Sequence, residues 1–204
     1  FGRPDVTVIV VDAGRLERNL NLVLQILEIT DKAVLCLNLI DEAKRHNVSI
    51  DERSLAKKLG IPVVATSARF EEGIPQLIQT INDVAEQKIK CNPYRIKNIP
   101  NHIQSAVDQL AQRVEKDYPN IPNSRWIAFR LLENDERVIE ALEKNEFQLP
   151  DSTMETKDKK DILAFADSLR WNIGENFHDS LTQSIYTDAS KIAEEVVKIE
   201  GKSK

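Results

Sequence analysis

Residues 33–41 read Ala-Val-Leu-Cys-Leu-Asn-Leu-Ile-Asp, an apolar run that ends in an amide and, three residues later, a carboxylate. Similar β-branched or aliphatic runs occupy 6–11 and 61–65. Short strands without polar alternation are typical of parallel sheets covered on both faces. Helical patterns separate these runs, in 19–29 and in a short segment that stops at Gly60, and another follows Gly73. The sequence therefore predicts βαβ units and an α/β fold.

Two local signals refine this prediction. Ser49 and Glu52 have the spacing of a capping box, which favours a helix that begins near Ser49. From residue 101 onward the apolar spacing is helical, with candidate caps at Asn101, Ser124 and Asn134 or Asp135, a polar loop at 149–160 and a last helix over 179–199. Trp171 is interpreted as a core residue of these helices.

The chain divides by composition into 1–90, a linker at 91–100 and a helical part at 101–204. The linker carries Pro93 and Pro100, which cannot lie inside a helix. The first residue is Phe1 rather than methionine, and we expect the 204 residues to be a piece of a longer protein.

Composition excludes several classes of protein. Lys and Arg number 28 against 33 Asp and Glu, a net charge of −5 that argues against a nucleic-acid partner. No apolar run approaches the ~20 residues of a membrane span. Two cysteines without metal-binding spacing, and the scattered His46, His102 and His178, give no candidate metal ligand and no catalytic residue.

Polar residues follow two of the predicted strands at their carboxyl ends, where open parallel sheets bind ligands. Asn38 and Asp41 form an Asn-x-x-Asp motif, and Ser67 and Ala68 follow the next strand. A carboxylate at Asp41 can accept both N–H groups on one edge of guanine, while the Asn38 amide bonds the base or ties the loops together. A backbone N–H near Ala68 can donate to the guanine carbonyl oxygen, which adenine lacks.

An alternative interpretation stays open for these residues. Asp41 and Ser67 have side chains suited to capping the helices that follow them. The phosphate-binding motif Gly-x-x-x-x-Gly-Lys-Ser/Thr is absent from the sequence, and Asp12 is not followed by a glycine at the spacing of a magnesium-binding acid, so it is interpreted as a capping residue.

Nearly the whole chain resembles the FeoB family of bacterial ferrous iron transporters. The first part is similar to its cytoplasmic GTP-binding domain and the second to the helical domain that follows. The matching stretches are 4–6 (Pro-Asp-Val), 11–13 (Val-Asp-Ala), 16–20 (Leu-Glu-Arg-Asn-Leu), 37–43 (Leu-Asn-Leu-Ile-Asp-Glu-Ala), 66–69 (Thr-Ser-Ala-Arg), 125–128 (Arg-Trp-Ile-Ala) and 131–133 (Leu-Leu-Glu). Leu39 stands where small GTPases have lysine. An apolar residue at this position is common in the FeoB family.

The resemblance implies a partial G domain of the P-loop GTPase type, lacking its first strands, followed by an all-α regulatory domain. Asn38, Asp41, Ser67 and Ala68 would contact the guanine of GTP or GDP, and magnesium would bind only in the intact parent. The parent's membrane domain would be a partner and would place this part at the cytoplasmic face of the bacterial inner membrane.

Two further expectations follow from the missing phosphate loop and strands. The fragment alone should be inactive as a GTPase, and an exposed strand edge should favour self-association. The alternative function is a nucleotide-free helical protein-interaction module.

Overall fold

The computed structural model describes residues 4–119, 121, 123–144, 146, 156–174 and 177–199, with side chains for all of these except 156–160. The first part contains β1 (Thr7–Asp12), α1 (Leu16–Ile29), β2 (Ala33–Asn38), α2 (Ile40–Arg45), β3 (Val48–Ile50), α3 (Glu52–Leu59), β4 (Val63–Ala65) and α4 (Ile74–Ala85). The remainder contains α5 (Asn101–Asp117), α6 (Ser124–Leu132), α7 (Glu136–Glu143), α8 (Thr156–Ile173), α9 (Phe177–Val196) and β5 (Val197–Ile199). An α/β part followed by helices confirms the predicted fold class.

The three apolar runs form one parallel sheet with the strand order β1-β2-β4. β2 lies in the centre, and every residue from Ala33 to Leu37 is buried. The register places Asp12 beside Asn38 and Leu37 beside Ala65. The carboxyl ends of all three strands therefore meet at one edge of the sheet.

Coverage of the sheet differs between its strands. On β1, Ile9 and Val11 are buried, whereas Val8 and Val10 are 38% and 60% exposed. Val34 of β2 and Val64 of β4 pack with Val84 of α4. The prediction of a sheet covered on both faces is thus right for β2 and wrong for β1, because α4 packs against β2 and β4 within the described residues.

We expect this edge to produce self-association, and Val10→Lys to abolish it. Within the described residues β1 pairs only with β2, so its outer edge offers free N–H and C=O groups beside an apolar face, which favours pairing with a second copy. A lysine on an edge strand opposes such pairing. Sedimentation velocity over a range of concentrations measures the change.

Leu22→Lys is the matched control, since Leu22 is an aliphatic side chain that is 53% exposed and belongs to α1 rather than to a strand. Self-association that persists in Leu22→Lys and disappears in Val10→Lys assigns the contact to β1. A wild-type chain that stays monomeric at high concentration contradicts the prediction.

A second, two-stranded sheet was not predicted. β3 pairs antiparallel with β5, with Val48 opposite Ile199 and Ile50 opposite Val197. Ser49 lies in β3 and not at the start of a helix, so the predicted capping box is wrong. Asp51 caps α3 instead, accepting a hydrogen bond from the Ser54 amide at 2.9 Å.

Contacts divide the described residues into two compact units, 98–184 and 4–97 with 185–199. We call them the helical unit and the sheet unit. This grouping differs from the sequence-based division at 90 and 100, because the carboxyl-terminal part of α9 and β5 group with the sheet unit. The sequence-based division stays a prediction about domain organisation.

No described helix is both long and apolar enough to cross a bilayer.

Within the helical unit, α5, α6 and α8 pack around apolar residues that the helical spacing predicted. The buried set includes Ile103, Val107, Leu110, Val114, Ile127, Leu131, Ile162 and Leu169. Asp135 caps α7 as predicted, but Asn123 rather than Ser124 caps α6, and Asn101 is the first residue of α5. Trp171 is 89% exposed, so its interpretation as a core residue is wrong. Most of the predicted loop at 149–160 lies outside the described residues, and 156–160 are helical.

Backbone hydrogen bonds fix the segment 91–97 to the sheet unit. The Asn92 and Tyr94 amides donate to the carbonyls of Gly60 and Leu59, each at 2.8 Å. The Ile96 amide donates to the buried Glu28 carboxylate at 2.7 Å. Residues 91–97 of the predicted linker are therefore held in the sheet unit by hydrogen bonds.

Polar contacts also hold the part of α9 after residue 184 within the sheet unit. The Tyr94 hydroxyl donates to Asp188, which is buried, at 2.8 Å. Desolvation and the hydrogen bond to Asp188 raise the pKa of Tyr94 well above its ordinary value. Lys58 and Glu195 form an ion pair near the end of the helix. These contacts, with β5, explain why the chain after residue 184 groups with the sheet.

Candidate functional site

The four residues predicted to read a base lie together at the carboxyl edge of the sheet. Asn38 ends β2, and Asp41 lies in the first turn of α2. Ser67 and Ala68 follow β4 after one intervening residue, Thr66. Backbone hydrogen bonds join the two loops, because the Thr66 amide donates to the Leu37 carbonyl at 2.8 Å and the Ile40 amide to the Thr66 carbonyl at 3.2 Å.

Side-chain hydrogen bonds connect the same residues. The Ser67 hydroxyl donates to Asp41 Oδ1 at 2.7 Å. Asn38 Oδ1 accepts from the Ala68 amide at 3.2 Å. Since the Asn38 oxygen is used inside the protein, its Nδ2 group is the part of the amide that remains to donate to a ligand.

Thr66 belongs to this cluster and was not singled out from the sequence. Its hydroxyl lies 3.3 Å from Asn38 Oδ1 and 3.2 Å from Cys36 Sγ, and the residue is 1% exposed. The signal that could have revealed it is the strand register, which places Thr66 one residue beyond the Leu37–Ala65 pair and so beside Asn38. The Thr66 hydroxyl thus helps to hold the Asn38 side chain in position.

The backbone of both loops has positive φ angles. Leu39 has φ 60°, a left-handed conformation that is rare for a bulky residue and often found at functional sites. Gly73 has φ 76°, and a Cβ there would lie 2.2 Å from the Ala65 carbonyl oxygen. Between these points, Ser67 and Glu72 exchange two backbone hydrogen bonds that close the loop after β4.

The helix-capping alternative accounts for less of this geometry. Ser67 precedes a 3₁₀ turn at Ala68–Phe70 but makes no side-chain cap hydrogen bond. Leu39, not Asp41, occupies the capping position of α2. Asp12, by contrast, does cap, since its Oδ1 accepts from the Gly14 amide at 2.8 Å; its interpretation as a capping residue is confirmed.

Electrostatics keep Asp41 ionised. The Ser67 hydroxyl is the main cause of a lowered pKa at Asp41; desolvation opposes it, and nearby backbone N–H groups and Arg45 lower the pKa further. The ionised carboxylate is purely an acceptor. Ala68 is exposed, whereas Ser67 is buried. The site therefore presents an anionic acceptor near solvent, beside the Ala68 amide that donates to Asn38 Oδ1.

A parallel sheet with paired polar loops at its carboxyl edge, followed by a helical unit, defines the class as a G-domain-like α/β domain joined to a helical domain. Two family models match the chain. "Ferrous iron transport protein B" covers residues 1–81, and "FeoB cytosolic helical domain" covers residues 100–198. The chain belongs to the FeoB family, as its sequence resemblance indicated.

Curated relatives agree with this assignment. An Fe(2+) transport protein A/Fe(2+) transporter FeoB fusion protein of Porphyromonas gingivalis is 37% identical over 140 residues, which are 67% of this chain and 16% of that protein. The Fe(2+) transporter FeoB of Escherichia coli K12 is 32% identical over 135 residues, 66% of this chain and 17% of that protein. The chain thus spans about a sixth of the length of these relatives.

Solved structures share the fold. A GDP-bound mutant of NFeoB from S. thermophilus has a TM-score of 0.74 at 24% identity, covering 96% of this chain and 70% of that one. The cytosolic domain of L. pneumophila FeoB has a TM-score of 0.73 at 25% identity, covering 97% and 69%.

Proposed function

We propose that this chain supplies the guanine-reading part of the cytoplasmic G domain of a ferrous iron transporter, together with the helical domain that follows it. The observation that carries the proposal is the hydrogen-bonded grouping of Asn38, Asp41, Ser67 and Ala68 at the carboxyl edge of the sheet. The GDP bound to the S. thermophilus relative supports a guanine nucleotide as the ligand.

Each group has a distinct role in this proposal. The Asp41 carboxylate accepts the two N–H groups on the guanine edge, and Ser67 holds it in position. The Ala68 amide, whose N–H donates to Asn38 Oδ1 at 3.2 Å in the structure, shares that N–H with the guanine carbonyl oxygen when the base binds, and Asn38 Nδ2 donates to a ring or carbonyl acceptor. Adenine offers neither the paired N–H groups nor the carbonyl oxygen, so the site discriminates between the two purines.

The phosphate side of the site is not assigned to any residue of this chain. In the intact parent, magnesium and the phosphates would bind there. The helical domain would bias nucleotide affinity and connect to the parent's membrane domain, which places the chain at the cytoplasmic face of the inner membrane. The proposed route for that bias runs along the chain: α9 begins in the helical unit and leads into β5, which pairs with β3, the strand that follows the helix carrying Asp41.

We expect Asp41→Asn to reverse the base preference of the site. The amide loses one of two acceptors for guanine but donates to the extra carbonyl of xanthine, so guanosine affinity should fall about tenfold or more and xanthosine affinity should rise. Titration with guanosine, xanthosine and adenosine, followed by amide NMR shifts at Asn38, Asp41 and Ala68, measures each affinity.

Asp179→Asn is the matched control, since Asp179 is also a first-turn carboxylate and is exposed at the start of α9. It should leave the base preference of the wild-type chain intact. Unchanged guanosine preference in Asp41→Asn removes Asp41 from the base site. The absence of any shift with any nucleoside favours the nucleotide-free interaction module instead.

A further inference from the structure

We infer that Arg45 sets the base affinity of this site by occupying Asp41 until a base displaces it. The inference rests on the proposed function of Asp41. It concerns a residue outside the predicted site and makes the guanidinium an internal competitor of the base.

The geometry comes from α2. Arg45 follows Asp41 by four residues, so both side chains lie on the same face of the helix. Arg45 Nη2 lies 3.3 Å from Asp41 Oδ2. Asp41 Oδ1 already accepts from Ser67, so the guanidinium approaches the oxygen that is otherwise left for a ligand.

Arg45 can leave this position at little cost. Its side chain is 64% exposed, and its Nη2 also lies 3.6 Å from Glu42 Oε1. A guanine that brings two N–H groups to Asp41 can replace the guanidinium as donor, while Arg45 keeps its contact with Glu42. The exchange leaves Asp41 hydrogen-bonded to the base and Arg45 ion-paired with Glu42.

The competition acts only on bases that donate to Asp41. Guanosine and inosine both carry the ring N–H that reaches the carboxylate, whereas adenosine has an acceptor at that ring position. Arg45→Ala should therefore strengthen binding of guanosine and inosine by up to about fivefold, the range for an exposed ion pair, and leave adenosine unchanged.

Two variants control for charge and for folding. Lys44→Ala removes the same charge from the neighbouring position of α2 without touching Asp41 and should leave guanosine affinity near that of the wild type. Arg45→Lys keeps a cation four residues after Asp41 and should restore affinity close to the wild-type value. Both positions tolerate these changes because alanine and lysine are good helix formers.

The measurement is amide NMR titration of the 204-residue chain with each nucleoside, together with the pKa of the Asp41 carboxyl from its side-chain ¹³C shift. We expect Arg45→Ala alone to tighten guanosine binding and to raise the pKa of Asp41, since Arg45 contributes to lowering it. The pKa readout needs no ligand.

Two results overturn the inference in different ways. Equal guanosine affinity in the wild type, Arg45→Ala and Lys44→Ala removes Arg45 from the site and leaves the proposed function standing. No guanosine shift in any variant overturns the proposed function and the competition with it, even where the pKa of Asp41 still reports the ion pair.

Discussion

Gly60→Ala lowers the free energy of unfolding of the sheet unit by about 3 kcal/mol or more, which is the largest stability effect that we expect from a single added methyl group. Gly60 ends α3 with φ 67°. A Cβ at this position would lie 1.8 Å from the carbonyl oxygen and 2.7 Å from the carbonyl carbon of Asn92. These are backbone atoms, so no side-chain rotation relieves the clash.

The cost has two parts. The left-handed conformation costs an alanine about 1–2 kcal/mol. The segment at Asn92 must also move away, which breaks the hydrogen bond from its amide to the Gly60 carbonyl and strains that from Tyr94 to Leu59. Each of these hydrogen bonds contributes about 0.5–1.5 kcal/mol when it is lost.

Gly174→Ala isolates the first part of that cost. Gly174 follows α8 with φ 78°, and among the described residues nothing lies within 4 Å of the Cβ that alanine would add. We therefore expect about 1–2 kcal/mol at Gly174. Amide hydrogen exchange in α3 and in α8 measures the two effects separately, and equal losses at both glycines contradict the steric account.

Sequence predicted the parts of the fold whose signals are local. The runs at 33–37 and 61–65 are apolar whichever strand neighbours them, so β2 and β4 could be placed, and the helical spacing of Ile103, Val107 and Leu110 identified α5. The pairing of β3 with β5 could not be found this way. Each of these strands has three residues, and Ser49 and Lys198 are paired across 149 residues of chain.

The same distinction holds at the candidate site. Asn38 ends β2 and Ser67 lies two residues beyond the end of the neighbouring β4, so parallel pairing alone brings their loops together. Thr66 and Arg45 depend on register and on side-chain geometry, for which the sequence has no periodic signal. The contact between Tyr94 and Asp188 is similar, because nothing local marks two residues 94 apart as partners.

GDP and GTP should bind this chain only in the millimolar range, with no measurable hydrolysis. The residues that we assign to the ligand contact the base alone. A charge-assisted hydrogen bond contributes about 1.5–3 kcal/mol, and lost translational and rotational freedom costs about 4–15 kcal/mol. Even millimolar affinity requires a net binding free energy of about −4.1 kcal/mol, which a few base contacts scarcely supply.

A series of ligands that share the guanine base tests this account within one protein. If only the base is bound, guanosine, GMP, GDP and GTP should have the same dissociation constant within about threefold, a difference under 1 kcal/mol. Magnesium should leave these constants unchanged. Calorimetry and amide NMR titration measure the series, and a phosphate-release assay checks hydrolysis.

The opposite result has a definite physical meaning. GTP that binds about tenfold more tightly than guanosine gains about 1.4 kcal/mol from its phosphates, so residues of this chain must then contact them. Hydrolysis requires more, because charge on the transferring phosphoryl group must be stabilised by a cradle of N–H groups, a lysine and magnesium. Affinity for the phosphates and turnover of GTP are therefore separate observations, and the base contacts at Asp41 and Ala68 account for neither.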